Sequence, residues 1–124
     1  MYGGMIMKLS KELVKGSSAM LVLSLLEHEE MYGYQIIKEL EARSENVFSM
    51  KEGTLYPILH SLETEGFVEA YWEETESSRK RRYYRITEAG RAELTRQSEE
   101  FKVYTAAVRK VLGGVSNAGF CRLS

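Results

Sequence analysis

Three observations in the amino-acid sequence predict a mainly α (α+β) fold. Helical apolar spacing recurs in short stretches before residue 66. Two segments rich in β-branched and aromatic residues follow, "FVEAYWEE" and "KRRYYRI", with the polar "TESSR" between them, which marks a β-hairpin. A long helical pattern runs on after Thr87. Three short helices, a hairpin and a further helix, in that order, define a winged helix-turn-helix with a two-stranded wing and a long C-terminal dimerisation helix.

Each element has its own warrant. Residues Leu9 to Lys15 predict a short helix that Gly16 ends. Ser17 or Ser18 then caps a stronger one, "AMLVLSLLEHEE", apolar nearly all round and so expected in the interior. In "MYGYQIIKELEARSE", Ile36, Ile37 and Leu40 share a face while Lys38, Glu39, Glu41 and Arg43 lie off it. Gly33 fits either the close approach of another backbone or a plain turn. In "SMKEGTLYPILHSLETEG", Leu55, Ile58, Leu59 and Leu62 keep helical spacing and Gly66 is the stop signal.

Pro57 inside that helix admits two readings. Either Thr54 is the N-cap and the missing N–H has no partner to lose, or Ser49 caps the helix with Glu52 and Pro57 faces the carbonyl of Gly53. In the first strand of the hairpin, Val68, Ala70 and Trp72 fall on one face and Glu69, Tyr71 and Glu73 on the other. Thr87 caps the last helix, which is expected to reach about Gly113-Gly114.

A chain of 124 residues, 44% hydrophobic and 28% charged, is one globular domain's worth. No apolar run reaches the roughly 18 residues needed to span a bilayer, and "MYGGMIMKLSKEL" lacks the layout of a secretion signal. The single Cys121 excludes an intrachain disulfide, which suits a reducing, cytoplasmic setting away from the membrane. The expected organisation is a disordered N-terminus over residues 1–8, a winged helix-turn-helix domain over 9–86, a dimerisation helix over 87–114 and a flexible tail over 115–124.

Charge is distributed unevenly. Lys and Arg number 17 against 18 Asp and Glu, a formal net charge of −1, yet the seven positions from Arg79 to Arg85 hold five cations. Local field rather than net charge draws in a polyanion. Arg79, Lys80 and Arg81, at the tip and the start of the second strand, can reach sugar-phosphate or a minor groove. Strand alternation prevents all five cations from facing one way, so Arg82 or Arg85 is expected to pair with Glu73, Glu74 or Glu76 across the hairpin. Tyr83 and Tyr84 read as packing residues.

On the third helix, Gly53, Tyr56, Pro57, His60 and Thr64 lie opposite the apolar stripe. Lys51, Thr54 and Tyr56, with His60 after them, are the candidates to reach base edges and phosphates. Double-stranded DNA is thus the expected partner. The rival reading is a winged-helix protein–protein interaction module that docks through its wing.

In the last helix Leu94, Phe101, Val108 and Val115 recur every seven residues, and Gln97, Tyr104 and Val111 sit three positions after the first three. Such a seam favours a partner helix; the alternative is packing onto the chain's own first helices. Leu94, Phe101, Tyr104, Val108 and Val111 are the candidate dimerisation residues. Catalysis finds no support. His28 and His60 lie on different helices, no zinc-ligand spacing occurs, and Gly3-Gly4 and Gly113-Gly114 lack the lysine and hydroxyl of a phosphate loop. No enzyme activity, metal or cofactor is expected.

"GTLYPILHSLETEGFVEAYW" followed by "RRYYRITEAG" closely resembles the signature of PadR-type bacterial transcriptional regulators, and "MYGYQIIKELE" resembles that family's preceding helix. The match runs roughly from Ser17 to Gly114. With one helix after the wing, the chain is similar to the compact subgroup that lacks a separate C-terminal domain. The resemblance implies a homodimeric repressor of an inverted-repeat operator, released by a small-molecule effector. Two positions depart from the pattern. Tyr32 stands where the family often has His, and the final helix has no Trp of the kind that some compact members use to stack flat aromatic ligands. Phe101 and Tyr104, the largest side chains on the seam, are the candidate ligand contacts that remain.

Overall fold

The computed structural model describes residues 9–113. Expectations for residues 1–8, for Gly114 and Val115, and for the tail with Cys121 lie outside the described residues. The elements run α1 (Lys11–His28), β1 (Met31–Tyr32), α2 (Gly33–Arg43), α3 (Glu52–Thr64), β2 (Val68–Glu74), β3 (Lys80–Ile86) and α4 (Glu88–Val111). By packing, residues up to Leu94 form one unit and those from Thr95 a second. The fold is thus the winged helix-turn-helix that the pattern predicts: helices α1 to α3, a hairpin wing and a long last helix.

Helix α1 is continuous, where two helices separated at Gly16 were expected. Ser10 is its cap, with Oγ accepting the Leu13 N–H at 3.2 Å. Ser17 and Ser18 are interior instead, their hydroxyls donating to the carbonyls of Val14 and Lys15. An interior glycine costs only about 1 kcal/mol relative to alanine. Ending the helix at Gly16 would leave unpaired N–H groups beside the buried Ser18, a larger penalty. Continuity is the cheaper solution.

The core forms where α1, α2 and α3 meet the sheet. Val22, Leu23, Leu25 and Leu26 of α1 pack with Ile36, Ile37 and Leu40 of α2 and with Leu55, Leu59 and Leu62 of α3. Burying each such side chain contributes about 1.5–3 kcal/mol. Between α2 and α3 the chain turns through Glu45 and Asn46, whose φ values of 54° and 68° are left-handed, and returns Phe48 and Met50 to the core. This is the turn of the helix-turn-helix.

Two starts differ from expectation. Met31 and Tyr32 are not the first turn of α2. They form β1, which pairs antiparallel with β3 through Met31–Tyr84 and Tyr32–Tyr83, and makes the sheet three-stranded in the order β1-β3-β2. Helix α3 is capped at neither Thr54 nor Ser49. Lys51 occupies the N-cap position, and its carbonyl accepts N–H bonds from Thr54 at 3.0 Å and Leu55 at 2.9 Å. Pro57 lies in the second turn, four residues after Gly53, as the Ser49 reading had it. A glycine there lessens the clash between the ring and that carbonyl.

At its other end α3 closes in a Schellman motif. Phe67 N–H donates to Leu62 O at 2.9 Å and Gly66 N–H to Glu63 O at 3.0 Å, with Gly66 at φ 81°. Glycine is required there because a Cβ disfavours that backbone region. The motif delivers the chain directly into β2, which pairs with β3 from Val68–Ile86 to Glu74–Lys80. A tip bond from Thr75 N–H to Arg79 O, 2.7 Å, closes the hairpin.

The base of the wing is tied by one residue. Thr87 Oγ1 donates to Gly66 O at 2.7 Å and accepts the Gly90 N–H at 3.0 Å, capping α4 as predicted. Thr87 N–H also donates to Phe67 O at 3.1 Å. Gly90 lies so close that a Cβ there would collide with Phe67 O and lie 2.8 Å from Ile86 Cγ1.

Two substitutions measure this junction by urea unfolding. Gly90→Ala should lower stability by about 3 kcal/mol, since the obstacle is a backbone carbonyl that cannot swing aside. Thr87→Ala should cost about 1–2 kcal/mol, the range for a lost N-cap. A Gly90→Ala protein of wild-type stability would show that α4 is free to move off the wing.

Candidate nucleic-acid interface

A cleft of about 590 Å³ opens between the start of α2, the outer side of α3 and the distal part of the wing. One wall is Tyr32, Gly33 and Tyr34; Tyr56 of α3 contributes the next; Trp72 and the run from Arg79 to Arg82 form the third. Cations and aromatic rings therefore face the same space.

Alternation along β3 sorts its charges. Arg82 is on the inner side, where Nη2 meets Glu63 Oε2 of α3 at 3.1 Å and the guanidinium lies 5.4 Å from the Trp72 ring centroid. Arg85 lies on the outer face and pairs with Glu69 at 3.3 Å and Glu30 at 3.7 Å. Both residues do form ion pairs, but not with Glu73, Glu74 or Glu76. The register puts Trp72 opposite Arg82 and Glu69 opposite Arg85, so the expected carboxylates lie too near the tip.

Arg79, Lys80 and Arg81 are exposed, and among the described residues none of the three has an ion-pair partner. Arg81 instead rests over the Tyr32 ring at 4.4 Å. That ring belongs to a ladder on the outer sheet face. Tyr83 meets Tyr32 edge-on at 5.4 Å and stacks with Tyr71 at 5.7 Å, and Arg85 covers Tyr71 at 4.5 Å. The Tyr71 hydroxyl donates to Glu30, which pushes its pKa up to about 12 because ionisation would set a phenolate against a carboxylate. Tyr83 thus packs in the hairpin, while Tyr84 is buried in the core.

Helix α3 presents Lys51, Thr54, Tyr56 and His60 on its exposed side. Tyr56 is 43% exposed, and its ring tip rests on Gly33, where a Cβ would lie 2.9 Å from Tyr56 Cζ. The close approach foreseen at Gly33 is thus a side chain, not a backbone. Burial, and then the Glu52 carboxylate, raise the Tyr56 pKa, so the phenol is a neutral group able to donate.

Of the α3 candidates only Tyr56 lines the cleft, and sequence reasoning missed three of its aromatic residues: Tyr32, Tyr34 and Trp72. Tyr32 is explained only once β1 is known. Trp72 was placed correctly on the face of Val68 and Ala70, but alternation does not tell where along a strand the core ends. Val68 is buried, whereas Trp72 is 60% exposed.

The candidate dimerisation residues fall into two sets. Leu94 is buried in the core of the first unit. Phe101 is exposed, as are Tyr104 at 61% and Val111 at 85%. Tyr104, Val108 and Val111 line a shallow apolar depression of about 280 Å³ with Ala107 and Leu112. His28 and His60 are exposed on α1 and α3. Among the described residues no helix is long and apolar enough to cross a membrane, and no three His, Cys, Asp or Glu side chains group as metal ligands.

The chain matches the model of the transcriptional regulator PadR-like family over residues 22–96, more than half of its length. It is 38% identical over 98 residues to a transcriptional regulator of Mycobacterium tuberculosis, covering 77% of this chain and 85% of that one. Among solved structures, a PadR family transcriptional regulator from Eggerthella lenta superposes with a TM-score of 0.73 at 35% identity, covering 82% of this chain and 86% of the other. A transcriptional regulator from Clostridium thermocellum gives a TM-score of 0.76 at 30% identity, with 81% and 97% covered. The aligned stretch contains the helix-turn-helix, the whole basic wing and the Thr87–Gly90 cap; this chain belongs to the PadR-like family of transcriptional regulators.

Proposed function

We propose that this PadR-like regulator acts as a homodimeric repressor that binds double-stranded DNA at an inverted repeat. The observation that carries the reading is the cleft itself. Three cations without carboxylate partners, Arg79, Lys80 and Arg81, stand across from the exposed side of α3. In a winged helix of this kind α3 enters the major groove and the wing follows the adjacent backbone. Lys51, Thr54, Tyr56 and His60 are then the residues nearest to base edges and phosphates. The wing cations supply the sequence-independent part of the affinity, since each neutralised phosphate releases counterions.

The second half of the reading rests on α4. Phe101, Tyr104, Val108 and Val111 form an apolar stripe exposed in the single chain. A second copy of the same helix fits it, because the seven-residue repeat lets two such helices interlock. A two-fold dimer presents two recognition helices and two wings to the two halves of an inverted repeat. A flat aromatic effector entering between the paired helices would stack on Phe101 or Tyr104.

Replacing Arg79, Lys80 and Arg81 together by Ala should weaken binding to any duplex. It should also flatten the plot of log affinity against log salt by about 0.9 for each phosphate no longer neutralised. Fluorescence anisotropy of a labelled duplex measures both. An unchanged slope would favour the rival in which the wing docks a protein.

Thr54→Ala and Tyr56→Phe separate reading from positioning. Either should change discrimination among variants of the intergenic sequence beside the gene by about 1–3 kcal/mol for each base edge that the side chain no longer reaches. A uniform fall in affinity across all variants would restrict α3 to the sugar-phosphate backbone.

Phe101→Ala should cost about 3 kcal/mol or more of dimer stability if the ring is buried between two helices. It should also abolish binding to the two-half site while leaving every DNA-facing residue intact. Sedimentation at micromolar concentration decides the point, and a wild-type monomer would overturn the dimer.

A further inference from the structure

Trp72 is the single tryptophan of the chain, and its surroundings are not those of a packing residue. It shares the inner sheet face with Val68 and Ala70, yet lies beyond the end of the core and is 60% exposed. Leaving an indole in water forgoes the burial that usually holds this side chain inside. A lone exposed apolar group would need no explanation. This one lines the same cleft as Tyr56 and the wing cations.

Its ring also has a cationic neighbour on the same sheet face. The Arg82 guanidinium lies 5.4 Å from the ring centroid, and the same guanidinium is held at 3.1 Å by Glu63 of α3. The chain Glu63–Arg82–Trp72 thus runs from the recognition helix through both strands of the wing. Arg82's charge already has a carboxylate partner, so this cation, although it belongs to the basic run, serves the ring more than it serves a distant anion. An indole braced in this way loses little conformational freedom when something packs on it.

We propose that Trp72 is a DNA-contacting residue, and that Arg82 is its brace rather than a phosphate contact. The ring's apolar surface packs against deoxyribose of a duplex in the cleft, and Nε1–H donates to a phosphate oxygen. An aromatic body with one polar donor suits a sugar-phosphate strand, which alternates apolar and anionic surface. The cations beside Trp72 select a polyanion over an apolar protein surface as the occupant. This inference rests on the DNA-binding function proposed above, and adds to it a contact that carries no charge.

The absence of charge makes the two separable by experiment. The probe is a mixed-sequence duplex of about two helical turns, with binding followed by anisotropy across a salt series. Trp72→Ala should lower affinity roughly tenfold, the size of one hydrogen bond to a charged acceptor, with the salt slope unchanged. Trp72→Phe should fall between Ala and wild type. Because Trp72 is the only tryptophan, acrylamide quenching reads this residue alone; it should be efficient in the free protein and reduced severalfold in the saturated complex. Circular dichroism melting should show both variants folded, and if Trp72→Ala is not, Trp72→Phe and the wild-type quenching experiment decide. Wild-type protein that binds the duplex while Trp72 stays fully open to acrylamide would overturn this inference and leave DNA binding standing. So would a Trp72→Ala protein of undiminished affinity. Wild-type protein that binds no duplex at all would overturn both.

Discussion

The hydroxyl and N–H bonds of Thr87 set the geometry on which the site depends. Its hydroxyl joins the Gly66 carbonyl, just past the end of α3, to the Gly90 N–H in the first turn of α4, and its own N–H reaches Phe67 O at the entry to the wing. Helix α3, both strands and α4 therefore converge within a few residues. The convergence needs Gly66 for the left-handed turn and Gly90 to admit the Phe67 carbonyl. With α3 and the wing joined at their common base, the cleft between them is anchored at one end. In the proposed DNA-binding role such anchoring would help, since a wing that had to be ordered on contact would consume part of the interaction energy.

Acidic residues reshape the basic run by pairing two of its members. Glu63 holds Arg82, and Glu30 with Glu69 holds Arg85. Arg79, Lys80 and Arg81 remain at the wing's distal end without an ion pair among the described residues, although the register sets Glu74 opposite Lys80 and Glu73 opposite Arg81. A chain with a net charge of −1 can in this way present a cationic surface. These pairs are largely exposed, and as stabilising interactions they are each worth about 1 kcal/mol or less. What they decide is which cations are paired: Arg82 lines the cleft bound to Glu63, whereas Arg79, Lys80 and Arg81 line it without an ion pair.

How much of this was legible follows from the range of each determinant. Strands β2 and β3 and the cap at Thr87 are written locally, in alternation and in a threonine before a helical run, and the structure has them where the sequence put them. The single span of α1 was not legible, because a glycine followed by two serines looks like a stop and a cap. Only the burial of Ser18 shows that the helix does better to continue. Strand β1 is two residues long, too short to carry a period, and exists because β3 offers a free edge. The partners of Arg82 and Arg85 depend on register and on Glu30 and Glu63, which come from other elements. Local chemistry could be read; pairings across elements could not.

That division also explains why the charge of the cleft could be foreseen while, of its rings, only Tyr56 could. Five cations in seven positions are visible in a line of text. Tyr32, Tyr56 and Trp72 come from three elements, and only the close passage of Tyr56 over Gly33 and the pairing of β1 with β3 bring them to one place. Rings beside cations change what the cations can do. Arg81, resting on Tyr32 at 4.4 Å, keeps its charge but loses much of its freedom to wander. Low-dielectric walls also focus the field of the neighbouring charges into the cleft. Arg81, held against such a wall, forms a more directed attraction than the same charge on an open helix.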